Sequence, residues 1–496
     1  IPDLIIIPLA HIINMSFTTG KFPDLLKIVK VIPIHKGGSS QDVNNYRPIS
    51  LLSIFDKIIE KLMHKRLYHY LEEHNILYQN QFGFRSNNST VYALAQITEM
   101  IKESIDSGKY GCGIFIDLKK AFDTVNHDIL LLKLEHYGIR EELLEWFKSY
   151  LSGRRQFVSF NGQSSQLMDI NYGVPQGSVL GPLLFLMYVN DLPNVSNILN
   201  FYLFADDTNI YYESKSLLAL EKTINKELAK LYLWLNVNRL ALNVEKTNYI
   251  IFHPYNKPIK QSITLLINKK AISEKGFIKY LGILLDSTLD WKAQILNISK
   301  KISRTLGIMY KLRPFLPLSV MKNIYYSLVY SHILYGIEVW GSARKTEMDK
   351  ILILQKRALR LMTYNDQYPI IPGPLKPSNP IFSKLHLLKV DDIHKVQVSK
   401  FIFKSLNKLT PINFHQWFKF NHNIHSYQTR SNFNINNNLN SNNLFVKSVR
   451  TVNYGFKQLK VNGPRIWNAL PVYIKTEKSL FVFLKKIKEY FILGYI

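Results

Sequence analysis

The sequence predicts an α+β fold, in which a largely antiparallel sheet is accompanied by separate helices. Two predicted β-hairpins support the sheet. The first spans residues 201–212, where apolar runs flank an Ala-Asp-Asp turn, and the second joins residues 155–160 to 165–170 through Asn161-Gly162. Asn-Gly is the turn pair that the twist of paired strands prefers. Residues 54–71 carry apolar side chains at helical spacing, which predicts a long amphipathic helix.

The first hairpin carries two adjacent acids, Asp206 and Asp207, at its tip. Because side chains alternate between the faces of a strand, one carboxylate is expected on one face and the other beside it at the turn. Two crowded carboxylates repel each other unless a cation lies between them. Asp is also a common turn residue, so an isolated pair is more often a solvated turn than a metal site. The surrounding sequence favours the metal site.

A third acid, Asp117, follows the apolar run at residues 114–116 and is predicted to close a buried strand. Between the acidic sites lies a loop at residues 173–178 with the sequence Gly-Val-Pro-Gln-Gly-Ser. The mostly apolar run at residues 179–191 has the length of a helix, and Ser178 is placed to cap it. Carboxylates at the ends of such strands supply the hard oxygen ligands that Mg²⁺ prefers.

In this order and spacing, these motifs resemble the palm of a reverse transcriptase. Further motifs narrow the resemblance to the polymerase of a non-LTR (LINE-type) retrotransposon of the jockey and CR1 groups. They are residues 31–36, 46–52 and 81–85, which resemble finger motifs, and residues 243–247 and 279–282, which resemble the fourth palm motif and the primer grip. The resemblance covers about residues 20–365, with weaker similarity at residues 463–468.

The resemblance implies a right-hand polymerase fold with a C-terminal extension. We expect an N-terminal extension and fingers in residues 1–110, an antiparallel-sheet palm in 111–284 and a helical thumb in 285–365. The composition changes in residues 366–496. Several prolines predict a linker there, and abundant Asn between residues 421 and 443 predicts a loop or disordered insert.

The same resemblance implies RNA-templated DNA synthesis from deoxynucleoside triphosphates with two Mg²⁺ ions, for which Mn²⁺ is an alternative. Asp117 and Asp206 would bridge the two ions, on the expectation that the strands they close pair side by side. Asp207 would complete the site on the primer side. Lys246 stands where the family has a candidate general acid, although a structural Lys at a helix end is an almost equal alternative.

Other site residues are also carried over from the resemblance. Lys36 and Arg47 would reach the triphosphate, and the ring of Phe122 would lie under the sugar and exclude a 2′-hydroxyl. Gln176 would contact the nucleotide or the base pair, and Gly177 would permit close approach of the backbone. The predicted primer grip is Tyr280, Leu281 and Gly282. Arg85 would touch the template or brace the fingers.

Composition agrees with a nucleic-acid partner. The 63 basic and 36 acidic residues leave a net charge of +27, which favours a polyanion, although a membrane surface could also attract such a charge. No run of about twenty apolar residues predicts a membrane span. The single cysteine, Cys112, excludes an intramolecular disulfide and a Cys-rich zinc knuckle, and indicates a reducing, intracellular setting.

The expected partners are therefore an RNA template and a DNA primer or nicked target DNA, in the cytoplasm and nucleus. The chain begins at Ile1 rather than Met, which suggests a piece of a longer polyprotein. An endonuclease domain is expected upstream or in trans. Two alternatives stay open: a catalytically silent or co-opted retroelement remnant that only binds nucleic acid, and a related polymerase such as an intron-encoded maturase.

Overall fold

The computed structural model describes residues 2–259, 261–364, 377–424 and 442–495. In this part of the chain the strands are β1 (Ile28–His35), β2 (Tyr46–Leu51), β3 (Tyr110–Ile116), β4 (Arg155–Phe160), β5 (Gln163–Ser164), β6 (Met168–Asp169), β7 (Asn200–Phe204), β8 (Asp207–Ser214), β9 (Asn248–Phe252), β10 (Leu266–Ile267), β11 (Lys270–Ala271), β12 (Ser273–Glu274), β13 (Phe277–Tyr280) and β14 (Ile283–Asp286). The helices are α1 (Pro2–Thr18), α2 (Ile54–Glu73), α3 (Thr90–Asp106), α4 (His127–His136), α5 (Glu141–Leu151), α6 (Gly181–Val189), α7 (Leu217–Val237), α8 (Lys292–Leu312), α9 (Leu318–Tyr325), α10 (Ser331–Leu334), α11 (Ile337–Trp340), α12 (Lys345–Met362), α13 (Asn379–Leu385), α14 (Val390–Leu406), α15 (Leu459–Asn468), α16 (Val472–Lys475) and α17 (Leu480–Leu493).

Parts of the C-terminal predictions fall outside the described residues. They are Pro372 and Pro374 of the predicted linker and residues 425–441 of the Asn-rich segment. None of the described helices is both long enough and apolar enough to cross a lipid bilayer.

The first sheet contains β1, β2, β4, β5 and β6. Strand β1 pairs antiparallel with β2 and parallel with β4, where Ile28 lies opposite Arg155. The Asn161-Gly162 turn has the expected positive φ angles of 49° and 80°. The second hairpin is therefore present, although its return strand starts at Gln163 and is interrupted before β6. It lies within the range predicted for the palm, yet it pairs with the strands of the predicted fingers.

The palm sheet has the strand order β12-β9-β3-β8-β7, with β3 at its centre. Strand β3 is antiparallel to both neighbours, and its pairing with β8 runs from Tyr110 opposite Ser214 to Ile116 opposite Thr208. Strands β7 and β8 form the predicted hairpin. The short β12 pairs parallel with β9, so the sheet is antiparallel except at one edge.

Apolar side chains cover both faces of the palm sheet. Ile114 and Ile116 contribute to a core that they share with α2, α4, α5, α6 and α7. Phe115, on the opposite face, packs against a second core that contains α3, the thumb helices α8 and α12, and the C-terminal helices α14, α15 and α17. This alternation is what a strand buried on both faces requires. The thumb and the C-terminal region therefore share one core beneath the palm.

Helix α3 fastens the C-terminal region to the palm through a buried carboxylate. The side chain of Glu99 accepts hydrogen bonds from Leu459 N–H at 2.7 Å and from Lys460 N–H at 2.9 Å, at the start of α15. Burial raises the pKa of Glu99. An unsatisfied carboxyl group at this depth would be costly, so these hydrogen bonds join α3 and α15 firmly.

Two further side chains of α3 extend this contact. Lys102 donates from Nζ to the carbonyl oxygen of Lys457 at 2.8 Å. Asp106 accepts hydrogen bonds from both the N–H and the hydroxyl of Thr451, each at 2.7 Å. The described C-terminal residues are thus an integral part of the fold around the palm.

Glu99→Leu should lower the melting temperature of the protein. The substitution leaves the N–H groups of Leu459 and Lys460 without their carboxylate acceptor, at a cost of about 1–3 kcal/mol. Thermal unfolding followed by circular dichroism measures the change. Glu103→Leu on the same helix is the control, because Glu103 forms a partly exposed ion pair with Lys460 that is worth about 1 kcal/mol or less. Equal melting temperatures for the two variants would contradict a special role for Glu99.

Candidate active site

The turn between β7 and β8 presents Asp206 and Asp207. Phe204 pairs with Asp207 across the turn, so Ala205 and Asp206 form a two-residue loop and Asp207 is the first residue of β8. Ala205 has a φ of +57°, in the left-handed region. The predicted placement, with one acid at the turn and the other beside it on the strand, agrees with this geometry.

Asp117 directly follows β3 and lies beside this turn. The β3–β8 pairing ends with Ile116 opposite Thr208, so one further step along both strands brings Asp117 opposite Asp207. The expectation that the strands closed by Asp117 and Asp206 pair side by side is wrong, because β8 lies between β3 and β7. The acids still meet, since the tight β7–β8 turn carries Asp206 back to the same end of the sheet.

The three carboxylates influence one another electrostatically. Asp206 and Asp207 reach solvent, but the surrounding chain displaces part of their hydration, and this desolvation raises the pKa of both. The charges of Asp206 and Asp117 add to the effect on Asp207, whose pKa rises to about 6. The charge of Asp117 also raises the pKa of Asp206, while Arg47 opposes this increase. The structure thus gathers three acids and one cation from three segments, which are the end of β3, the β7–β8 turn and β2.

Asp117 is held by the turn that precedes β9. Asn243 donates from Nδ2 to Oδ2 of Asp117 at 2.9 Å, and its N–H donates to the carbonyl oxygen of Asp117 at 2.9 Å. The buried hydroxyl of Thr247 accepts from Asp117 N–H at 3.3 Å. Sequence reasoning gave no role to Asn243 or Thr247. The available signal was the short polar side chains at both ends of this motif, since Asn and Thr commonly bond to nearby backbone.

Lys246 lies in this same turn, and its side chain is exposed. The alternative of a structural Lys at a helix end is wrong, because α7 ends at Val237 and Lys246 immediately precedes Thr247 and β9. The turn is tied to Asp117, which brings Lys246 to the end of the sheet that carries the acids. Its role as a general acid stays a prediction.

Lys36 and Arg47 lie on the β1–β2 hairpin. Arg47 is opposite Ile34, and the N–H of Lys36 donates to the carbonyl oxygen of Asn45 at 2.7 Å. Because side chains alternate along each strand, Lys36 and Arg47 share one face of the hairpin. Both are exposed, and Arg47 is close enough to Asp206 to lower the pKa of that carboxyl. Arg47 therefore brings positive charge from the finger hairpin near Asp206, and Lys36 lies on the same face of that hairpin.

Phe122 lies in a 3₁₀ turn, Ala121–Thr124, just after Asp117. Its half-buried ring stacks on the buried ring of Phe185, with centroids 4.5 Å apart, and its carbonyl oxygen accepts from Val174 N–H at 2.9 Å. The ring is therefore held in place by the core on one side. Packing on Phe185 is compatible with the predicted role of this ring, which is to exclude a 2′-hydroxyl.

The loop at residues 173–178 joins the palm to the fingers. Gln176 donates from Nε2 to Oδ1 of Asp123 at 2.7 Å, while its carbonyl oxygen accepts from Ser50 N–H of β2 at 2.7 Å. Gly177 has a φ of +123°, and a Cβ atom there would lie 2.6 Å from the carbonyl oxygen of Ser50. Glycine is therefore required at residue 177 because the backbone there lies against the backbone of β2. The hydroxyl of Ser178 accepts from Gly181 N–H at 2.9 Å, but α6 begins at Gly181 and its N-cap residue is Leu180, so the prediction that Ser178 is the cap of this helix is wrong.

The predicted primer grip is the β13–β14 hairpin. Its two-residue turn, Leu281 and Gly282, has positive φ angles of 43° and 83°. Tyr280 is buried, its ring centroid lies 5.3 Å from that of Phe115 on β3, and desolvation followed by the charge of Asp207 raises the pKa of its hydroxyl. The hydroxyl of Tyr335 in the thumb donates to Leu281 O at 2.6 Å. The hairpin therefore links the acids to the thumb.

Arg85 braces the fingers. Its Nε and Nη2 donate to the two carboxylate oxygens of Glu72 at 2.9 Å and 2.8 Å, and its Nη1 donates to the carbonyl oxygen of Tyr78 at 2.9 Å. Such a bidentate pair holds the guanidinium group in one orientation. Of the two roles proposed for Arg85, the geometry favours the structural one.

The acids offer the donor chemistry of a divalent-cation site. Carboxylate oxygens are hard ligands. Desolvation and then mutual repulsion raise the pKa of Asp207, and a cation between the carboxylates would relieve the repulsion. Within the described residues, however, no group of three or more His, Cys, Asp or Glu side chains is arranged so as to hold a metal ion. Asp117, Asp206 and Asp207 therefore fit such an ion by chemistry and proximity, without forming a finished cage.

A sheet with acids at the ends of neighbouring strands, a cationic finger hairpin and a helical thumb defines a right-hand polymerase. Residues 34–285 match the sequence model of the reverse transcriptase (RNA-dependent DNA polymerase) family. The chain belongs to this family.

Relatives support the resemblance to non-LTR elements. The chain is 33% identical over 371 residues to the RNA-directed DNA polymerase from mobile element jockey of Drosophila melanogaster. The aligned residues cover 73% of this chain and 40% of that protein. It is 32% identical over 385 residues to the probable RNA-directed DNA polymerase from transposon BS of the same species, covering 73% and 41%. The chain thus spans about two fifths of the length of these relatives. Among solved structures, apo telomerase from Candida tropicalis is similar at 12% identity and a TM-score of 0.40, covering 78% of this chain and 64% of that chain.

The raised pKa of Asp207 predicts a pH-dependent stability of the metal-free protein. The folded protein holds this proton more tightly than the unfolded chain, so the contribution of Asp207 to stability is fully present below about pH 4. It is lost as pH rises through about 6. Asp207→Asn cannot ionise and should therefore melt at a higher temperature than wild type at pH 8, with the difference vanishing towards pH 4.

Melting temperatures measured in a chelating buffer between pH 4 and pH 8 test this expectation. Asp169→Asn, at an exposed acid of β6, is the matched control and should follow the wild-type profile. A wild type that is more stable than Asp207→Asn at pH 8 would show that the sign is wrong.

Proposed function

We propose that this chain is the polymerase part of a non-LTR retrotransposon protein and extends a primer on an RNA template by adding deoxynucleotides. The observation that carries the proposal is the gathering of Asp117, Asp206 and Asp207 at one end of the palm sheet, with Arg47 facing them. Family membership supports the type of reaction. The net charge of +27 suits a polyanionic template and primer.

Asp117, Asp206 and Asp207 would hold the divalent cations. Such ions, Mg²⁺ or Mn²⁺, supply positive charge that assists attack by the primer hydroxyl and stabilises the departing pyrophosphate. The contribution of the chain is to place the acids together. Asn243 holds Asp117 through its side chain and its backbone, so this acid keeps its orientation when the nucleotide enters.

Lys36 and Arg47 would bind the triphosphate of the incoming nucleotide. They share one face of the β1–β2 hairpin, and Arg47 lies near Asp206. Arg47 can grip phosphate oxygens with two hydrogen bonds, whereas Lys36 acts as a point charge. Lys246 would protonate the pyrophosphate as it leaves, from the turn that also positions Asp117.

Phe122 would exclude ribonucleotides. Its ring is supported by Phe185, so it cannot retreat easily when a 2′-hydroxyl approaches. Gln176 would contact the nucleotide or the base pair from the loop between palm and fingers, and Gly177 would permit close approach of the backbone there. The hydrogen bond from Gln176 to Asp123 fixes that loop. The Tyr280, Leu281 and Gly282 turn would hold the primer end, buttressed by Tyr335.

The proposed partners are the RNA template, a DNA primer or nicked target, and deoxynucleoside triphosphates. The nick would come from an endonuclease domain upstream or from another protein. We also propose that the protein acts inside the cell, in the cytoplasm and the nucleus.

Primer extension on an RNA template tests the activity. Purified wild type should extend a DNA primer with deoxynucleotides and Mg²⁺ or Mn²⁺, and Asp206→Asn should reduce the rate by about a hundredfold or more, because it removes a charge from the proposed ligand set. Asp24→Asn is the control, since its side chain is 91% exposed and lies in the N-terminal extension.

Template–primer binding by the same proteins distinguishes an active polymerase from a remnant that only binds nucleic acid. Wild type that binds without extending, and is indistinguishable from Asp206→Asn, would support the remnant and remove the catalytic assignment.

Phe122→Ala should increase ribonucleotide incorporation relative to deoxynucleotide incorporation by about tenfold or more, because the space under the sugar opens. Single-nucleotide extension with matched ribo- and deoxynucleotides measures the ratio. Phe122→Tyr keeps the ring and should keep the wild-type ratio. Because Phe122 also packs on Phe185, melting temperatures of both variants are compared first, and Phe122→Val replaces Phe122→Ala if that variant unfolds. An unchanged ratio in a folded variant would show that Phe122 is not the gate.

A further inference from the structure

The turn that carries Asp206 and Asp207 has an unfavourable backbone conformation. Ala205 has a φ of +57°, a region that residues with a Cβ atom seldom adopt. Such a conformation persists where the surrounding structure imposes it. Some contact outside the turn must therefore hold Ala205 in place.

That contact is the side chain of Gln81. Gln81 is 2% exposed, and its Oε1 accepts hydrogen bonds from Ala205 N–H at 3.1 Å and from Gly83 N–H at 2.9 Å. One amide oxygen thus satisfies two buried N–H groups. It fixes the first residue of the two-residue loop that contains Asp206.

The backbone around Gln81 forms an isolated parallel β-bridge with Leu203 of β7. Leu203 N–H donates to the carbonyl oxygen of Asn80 at 2.9 Å, and Phe82 N–H donates to the carbonyl oxygen of Leu203 at 2.8 Å. Gly83 lies so close that a Cβ atom there would be 2.4 Å from the backbone nitrogen of Ala205. These contacts place the Gln81 side chain directly against the turn.

The C-terminal region supports this segment from the other side. Asn413 donates from Nδ2 to the carbonyl oxygen of Gln79 at 3.2 Å and to Oδ1 of Asn80 at 2.7 Å. The rings of Phe82 and Phe414 lie 6.3 Å apart. Gln81 is therefore held between the palm and the C-terminal region, so its amide group is a rigid support.

We propose that Gln81 is a positioning residue for Asp206 and Asp207. It acts through the backbone of Ala205, keeping the turn in its left-handed conformation so that both carboxylates face Asp117. The catalytic consequence rests on the proposed polymerase function, whereas the effect on the turn does not.

Gln81→Met tests the proposal, because methionine has a similar length and cannot accept both hydrogen bonds. In metal-free protein, hydrogen exchange of peptides spanning residues 201–209 should become faster. Under primer-extension conditions kcat should fall by about 10- to 100-fold, as expected from misplacement of catalytic groups. The KM for the nucleotide and the affinity for template and primer should stay near wild type. Gln79→Met, at an exposed neighbour on the same segment, is the matched control and should change none of these.

Ala205→Gly provides the rescue. Glycine adopts positive φ without the steric cost of a Cβ atom, so the turn no longer depends on Gln81 for its conformation. Adding Ala205→Gly to Gln81→Met should recover at least about tenfold in kcat relative to Gln81→Met alone. A general packing defect at Gln81 would not be relieved by a change that only widens the backbone freedom of residue 205.

The outcomes separate the two proposals. Faster exchange at residues 201–209 with a fall in kcat that Ala205→Gly reverses supports the positioning role. Unchanged exchange in Gln81→Met overturns it, as does a loss of kcat that Ala205→Gly leaves in full. If wild type extends no primer, the polymerase proposal fails, and the exchange measurement alone then decides the role of Gln81 in holding the turn.

Discussion

The antiparallel pairing of β3 with β8 is the constraint on which the candidate site depends. Its last pair is Ile116 opposite Thr208, so Asp117 and Asp207 meet at the end of the ladder. A slip of one residue would turn Asp207 to the other face of the sheet. The acids oppose this arrangement by repulsion, which contributes to the raised pKa of Asp207. The register survives because apolar cores cover both faces of the sheet, and a slip would expose both.

The loop at residues 173–178 makes the position of the fingers depend on the palm. The carbonyl oxygen of Gln176 accepts a hydrogen bond from Ser50 N–H of β2. Gly177 lies so close to the Ser50 carbonyl oxygen that a side chain at residue 177 would not fit. Directly after this loop, the N–H of Val179 donates to Oε2 of Glu60 at 2.6 Å. The other carboxylate oxygen of Glu60 accepts from the hydroxyl of Tyr150. A movement of the finger sheet must therefore move this loop, which couples Arg47 to the acids of the palm.

Local patterns predict elements better than they predict which side chains are buried. Helical spacing at residues 54–71 predicts α2, yet Ile54 is 70% exposed while Asp56 and Glu60 are completely buried. Burial is tolerated because Arg154 and other remote groups supply polar partners. The C-terminal region shows the same limit. Its change of composition suggests a separate unit, but its helices share a core with α3, since apolar spacing does not reveal the partner of a helix.

The order of motifs along the chain was enough to determine the family, the two hairpins and the three acids, because turn chemistry and strand-ending carboxylates are local features. Only the tertiary structure showed which side chains position the acids and join the C-terminal region to the palm. Asn243 orients Asp117, Gln81 holds Ala205, and Glu99 joins α3 to α15. Each of these hydrogen bonds joins segments far apart in the sequence. The sequence positions of these polar side chains follow no periodic pattern that would predict a distant partner. Their roles are therefore visible only in the folded structure.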